Sequence, residues 1–254
     1  MKKSIFAIIA ASFLFSFLIS CQSGDAVKPA EPAIVVVADS AIKPTPLLEK
    51  VLTAEEQTAL TPDMVIQSLK DGNKRFMNNT LTLRDHSAMA RNAAKGQFPK
   101  AVVLSCLDSR VPVEDVFDRG IGDLFVGRVA GNFANEDLLG SMEFGCKVSG
   151  AKLILVLGHE ACGAVKAAID DVKLGNITAM LTKIKPAVAK SQDFKGEKST
   201  KNDEFVDYVG KNNVLNTIST IQAKSPILNE MVKKGEIKIV GAYYNLKTGE
   251  VTFL

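Results

Sequence analysis

Tryptophan is absent from the 254 residues, and only three tyrosines and two histidines occur. Without Trp and with little Tyr, no aromatic platform is interleaved with basic residues, and the formal net charge is only +3. Together these exclude a nucleic-acid-binding role. With so few imidazoles, His86 and His159 each have to be accounted for. The four cysteines, Cys21, Cys106, Cys146 and Cys162, pose the same demand. No internal repeat is present.

What is there begins with a targeting segment. Lys2 and Lys3 precede an apolar run, Ser4–Leu18, that is short for a membrane-spanning helix. Leu18-Ile19-Ser20-Cys21 reads as a lipobox, with a small residue just before the cysteine. Residues 1–20 are therefore expected to be a lipoprotein signal peptide, with lipid on Cys21. The domain would be tethered to a membrane on the periplasmic side or at the cell surface. Gln22 is not the Asp associated with inner-membrane retention, which leans the expectation to the outer membrane. Residues 21–52 carry Pro29, Pro32, Pro44 and Pro46 and read as a flexible linker, with Ile34–Val37 a possible stray strand. Residues 53–254 suit one catalytic domain with a proper core.

Along that domain, Thr61-Pro62-Asp63 opens a helix. Val65, Ile66, Leu69 and Phe76 recur at helical spacing, and Gly72-Asn73 is expected to interrupt the run. Arg84–Gly96, Leu138–Val148, Gly163–Ile169, Phe205–Ile221 and Pro226–Lys233 read as helices, Phe205–Ile221 as an amphipathic one. Ala101–Ser105, Asp123–Val129, Lys152–Gly158, Glu236–Asn245 and Val251–Leu254 read as strands, and Lys195–Lys201 as a solvated loop. Strands alternating with helices predict an α/β fold with a mainly parallel central sheet flanked by helices.

Two segments carry the chemistry: Cys106-Leu107-Asp108-Ser109-Arg110 and His159-Glu160-Ala161-Cys162-Gly163. Each follows an apolar run with the content of a buried parallel strand, so both belong at the strand ends where open α/β sheets bind ligands. Two thiolates and an imidazole suit zinc, and leave one tetrahedral position for water. Gly158 and Gly163 are expected to permit the tight turn between His159 and Cys162. A Cys106–Cys162 disulfide is the alternative, and it would leave Asp108, Arg110 and His159 unexplained. Asp108 and Arg110 could form a bidentate pair that keeps the carboxylate ionised beside the metal. Cys146, in an apolar stretch, reads as a buried free thiol.

Cys106-x-Asp108-Ser109-Arg110 with His159-x-x-Cys162-Gly163 resembles the signature of the β-class carbonic anhydrases. Residues 72–76, 122–126 and 128–132 look like that family as well, and the likeness runs from about Thr61 to the C-terminus. It implies reversible hydration of CO2 to bicarbonate and a proton by zinc-bound hydroxide. One Zn2+ per subunit would be held by Cys106, His159 and Cys162, with Asp108 and Arg110 as the catalytic dyad. It also implies a homodimer or higher oligomer with the active site at the dimer interface. Gln97, from the partner subunit, Phe125 and Phe144 would line the CO2 pocket. Some members bind bicarbonate beside the site through a Trp, an Arg and a Tyr. Here Val103, Arg128 and Phe144 stand at the matching positions, which implies the constitutively open type with Asp108 paired to Arg110. Activity is expected to rise between neutral and mildly alkaline pH, with His86 a weak candidate for proton transfer. The alternatives are hydrolysis of carbon disulfide or carbonyl sulfide on the same fold, and a zinc lipoprotein without catalysis.

Overall fold

The computed structural model describes residues 47–254. The expected signal peptide, Cys21, and the linker up to residue 46 with its Ile34–Val37 strand lie outside the described residues. From Leu48 the chain is already paired: its N–H donates to the Leu83 carbonyl at 2.8 Å, and its carbonyl accepts from Asp85 N at 3.1 Å. No helix among the described residues is long and apolar enough to cross a membrane.

Five strands form one sheet in the order β2-β1-β3-β4-β5: β1 (Ala101–Ser105), β2 (Leu124–Arg128), β3 (Leu153–His159), β4 (Lys238–Tyr244) and β5 (Val251–Phe253). β1 pairs in parallel with both β2 and β3, β3 pairs in parallel with β4, and only β5 runs antiparallel. β1 and β3 are buried at every position. That follows from their continuous apolar runs, which suit strands covered on both faces. Alternation along β3 divides the core. Leu153, Leu155 and Leu157 pack with Val65, Leu69, Val116 and Phe117, whereas Ile154 and Val156 pack with Val214, Ile221 and Leu228.

Helices cover both faces. They are α1 (Ala54–Thr58), α2 (Pro62–Met77), α3 (His86–Ala93), α4 (Val113–Val116), α5 (Glu136–Glu143), α6 (Gly163–Ile169), α7 (Gly175–Leu181), α8 (Lys185–Lys190), α9 (Asp203–Lys224) and α10 (Pro226–Lys233). The signals for α2 hold as expected, with Thr61 Oγ1 accepting from Met64 N and Pro62 in the first turn.

Three expectations are corrected. Gly72-Asn73 does not interrupt α2, which runs through to Met77. Gly72 is there because a Cβ would lie 1.8 Å from the Phe117 carbonyl oxygen. Asn73 donates to the Val116 and Gly249 carbonyls and accepts from Val251 N, so both residues serve packing. The single helix expected over Leu138–Val148 is α5 followed by a π-helical turn, Phe144–Val148. α9 is not simply amphipathic, since its buried positions include Gly210, Asn213 and Thr217 beside the apolar ones.

Candidate metal centre

Because β1 and β3 are parallel neighbours with Ser105 opposite Leu157, the residues that follow them emerge side by side at one edge of the sheet. Cys106 follows β1, and His159 ends β3. The chain then bends at Ala161, whose φ of +50° lies in the left-handed region, and delivers Cys162 to the N-cap of α6. The expectation for the flanking glycines is corrected here. Gly163 has open space around it, and Gly158 is needed for close approach, since a Cβ there would lie 2.6 Å from Val214 and 3.0 Å from Tyr243. The strained residue of the turn is Ala161, which no composition rule marks.

All three candidate ligands are buried, and their ligand atoms lie within 4.8 Å of one another. The two sulfurs are 3.9 Å apart and both thiols are free. A disulfide needs about 2.05 Å, so that alternative falls. Two sulfurs about 2.3 Å from one tetrahedral ion would sit roughly 3.8 Å apart, close to the spacing seen. His159 Nδ1 lies 2.8 Å from the carbonyl oxygen of Glu160. With the proton on Nδ1 that contact is a hydrogen bond, and Nε2 is left with its lone pair, buried and without a partner. A buried acceptor with nothing to accept from is costly, and a metal ion would satisfy it. The thiols point the same way. Cys106 ionises readily because Cys162 hydrogen-bonds its sulfur, and the Cys162 proton is held correspondingly tightly by Cys106 and by burial. A divalent cation would displace that shared proton and balance both thiolates. The residues present fit the metal that the motifs imply.

Beside the cluster, Arg110 grips Asp108 at both carboxylate oxygens, with Nε to Oδ1 at 2.9 Å and Nη2 to Oδ2 at 2.7 Å. The Arg110 N–H adds a third bond to Oδ1 at 2.9 Å. These bonds hold the carboxyl down to about 2, so it is ionised at any physiological pH. Asp108 Oδ2 is 3.9 Å from His159 Nε2, which places the carboxylate at the mouth of the cluster. Arg128, at the end of β2, donates to the Val111 carbonyl and so ties down the segment that carries the pair. Val103 is fully buried in β1.

Gln97, Phe125 and Phe144 also come together, but elsewhere. They line a cavity of about 760 Å³ bordered by β1, β2 and α5, and neither the cysteines nor His159 border it. The Phe125 and Phe144 ring centres are 6.5 Å apart, and Phe144 is 49 % exposed. His86 begins α3 and is not part of the cluster. Cys146 is buried and free, and its thiol is pushed up to about 12 by burial, as an inert core residue would be. Sequence reasoning missed the support behind Cys106: the Gly131 N–H donates to its sulfur at 3.3 Å. A hydrogen bond across 25 residues has no local signal.

Comparison with known proteins agrees with this geometry. The carbonic anhydrase family model matches residues 101–251, which span both metal motifs and the four parallel strands β1 to β4. Carbonic anhydrase 2 of Mycobacterium tuberculosis is 34 % identical over 192 residues, covering 72 % of this chain and 88 % of that protein. The carbonic anhydrase of Mycolicibacterium smegmatis is 35 % identical over 194 residues, covering 73 % and 89 %. Among solved structures, the β-carbonic anhydrase CafA of Aspergillus fumigatus superposes with a TM-score of 0.58 at 26 % identity, covering 66 % of this chain and 81 % of that one. The Coccomyxa β-carbonic anhydrase gives 0.57 at 27 %, covering 65 % and 75 %. With a family model over more than half its length, relatives above 30 % identity and a shared fold, this chain belongs to the β-class carbonic anhydrases.

Proposed function

We propose that this protein is a zinc enzyme that interconverts CO2 and bicarbonate. The observation that carries the reading is the buried Cys106–His159–Cys162 cluster with an ionised Asp108 held at its mouth. Cys106, His159 and Cys162 would hold one zinc per chain, and zinc bound there would make a water proton acidic near neutral pH and supply the nucleophile. His159 is held in one tautomer by its Glu160 contact, which keeps Nε2 available. Asp108 offers the reacting water a charged acceptor, and Arg110 keeps that acceptor beside the cluster by occupying both of its oxygens.

The apolar walls of Phe125 and Phe144 would exclude water around CO2. In one protomer they are not at the metal cluster, but they line a cavity beside β2, the edge strand of the sheet. A second copy laid along that edge would bring each protomer's walls and Gln97 toward its partner's metal. This supports a homodimer or larger oligomer with a shared active site. Leu18-Ile19-Ser20-Cys21 supports lipid attachment at Cys21 and an extracytoplasmic location, on the outer membrane by the character of Gln22. A Cys21→Ser chain recovered in the membrane fraction as fully as the native one would rule that anchor out.

The deciding experiment is stopped-flow CO2 hydration by the zinc-loaded full chain from pH 7 to 9. Hydration should rise with pH, and should be lost in Cys106→Ser and on zinc removal. Folded, zinc-loaded protein that leaves CO2 untouched overturns the proposal, and turnover of carbon disulfide or carbonyl sulfide instead would reassign the substrate.

A further inference from the structure

α9 is buried through the middle of the molecule, and its most anomalous residue is Asn213. This side chain is fully buried, 0 % exposed, yet its Oδ1 has no hydrogen-bond partner. An apolar side chain of the same size would avoid that penalty. What Asn213 does make is one bond: Nδ2 donates to the Gly131 carbonyl at 2.7 Å.

Gly131 occupies the turn after β2, closed by Asn132 N to the Val129 carbonyl at 2.9 Å. Its φ is +86°, and a Cβ would lie 2.4 Å from Ile184 Cδ1, so the position requires glycine on two counts. Glycine by itself does not commit the turn to one orientation, and its N–H is the one that donates to Cys106 Sγ at 3.3 Å. A freely reorienting peptide would not keep that donor aimed. The bond from α9 pins the carbonyl on the other side of the same residue.

We infer that Asn213 is a positioning residue for the metal centre: it fixes Gly131 so that the Gly131 N–H stays on the Cys106 sulfur. The inference rests on the metal-centre reading above. It links the longest helix to a ligand 107 positions earlier in sequence, through one side-chain bond and one glycine. The N–H draws charge from the thiolate and holds the sulfur in place. Losing its support would loosen the ligand and leave a more electron-rich sulfur.

The test loads the full chain with Zn2+, and separately with Co2+, in the native form and in Asn213→Leu, Asn213→Ser and Thr217→Val. Leu has the same branched outline but is larger and apolar, whereas Ser is smaller and milder and serves if Leu does not fold. Thr217→Val disturbs α9 one turn on, at a residue whose Oγ1 bonds to nothing. Metal release is followed by transfer to a chelator, and the cobalt–thiolate absorption band is recorded in each. Losing an outer-shell partner should speed release by about tenfold or more in the Asn213 variants. Their cobalt–thiolate band should move to longer wavelength, while Thr217→Val matches the native protein in both. A purely structural role would lower the melting temperature without moving the band, and that outcome overturns the inference. So does an equal change in Thr217→Val, which would mean general loosening of α9. A native chain that binds neither metal overturns the metal-centre reading itself, a result distinct from failure of the Asn213 variants alone.

Discussion

Asp118 shows how much of this fold hangs on single side chains. It is buried, with a left-handed φ of +47°, and its carboxylate accepts from Arg75 Nε at 2.5 Å, Arg84 Nη1 at 2.6 Å, Thr82 Oγ1 at 2.7 Å and Thr82 N at 3.1 Å. Burial alone would raise its pKa, but the bonds from Arg75, Thr82 and Arg84 outweigh it and hold the group down to about 2. A depressed carboxyl contributes stability above its unfolded pKa, near 4, and that contribution is lost as pH falls from about 4 toward 2. Asp118→Asn should cost about 3 kcal/mol at pH 7, because it leaves the Arg84 charge buried beside a neutral amide. It should also flatten the acid dependence of stability between about pH 4 and 2. Denaturant titrations at several pH values would check both, and an unchanged acid slope in the variant would refute the assignment. The residues legible in the sequence were those whose partners lie within one motif: Cys106 with Asp108 and Arg110, and His159 with Cys162. Asp118 and Asn213 were not, because the groups that give them meaning are 34 to 82 positions away.

At the scale of elements, the strands were the most legible, since β1 and β3 are apolar runs bounded by turn residues and parallel pairing follows from the intervening helices. The short helices were less so. α4 has four residues and no side-chain cap, and α7 and α8 also lack one, so their start signals are weak: a first-turn Pro186 in α8, the acidic Glu114 and Asp115 in α4, and none in α7. α2 illustrates the opposite case, in which packing overrides a helix-breaker signal. Gly72 lowers intrinsic helix propensity, but the close approach of α2 to the end of α4 excludes any side chain there. Asn73 then ties that helix to Val116, Gly249 and Val251 by three bonds. Gly72→Ala, which should help an isolated helix, is expected to destabilise the protein by about 2 kcal/mol or more, because it forces α2 off the Phe117 carbonyl. That corresponds to roughly 4–8 °C in melting temperature for a domain of this size. A variant as stable as the native protein would mean that α2 does not pack this closely on α4.

Taken as a whole, the molecule keeps its metal ligands and its candidate substrate walls apart. Cys106, His159 and Cys162 come from one chain and need no partner to converge. Gln97, Phe125 and Phe144 line one cavity, and Phe125 belongs to β2, the edge strand that pairs on one side only, with β1. An unpaired, partly apolar edge invites association, and Phe144 is among the larger apolar side chains left exposed. If two copies join there, metal binding and turnover should depend on assembly to different degrees. Phe144→Asp places a charge in the middle of that surface and should shift the protein from dimer or larger toward monomer in sedimentation velocity. The monomer should still bind one zinc per chain with native affinity, because no ligand crosses the interface. Hydration should fall by about a hundredfold, since the walls that position CO2 would no longer face a metal. Activity at native level in a monomeric variant would separate catalysis from assembly and place the CO2 pocket within a single protomer. Loss of zinc together with the dimer would instead mean that the ligand strands need the partner to hold their geometry. The two failures point to different structures, so sedimentation, zinc content and hydration have to be measured on the same preparation.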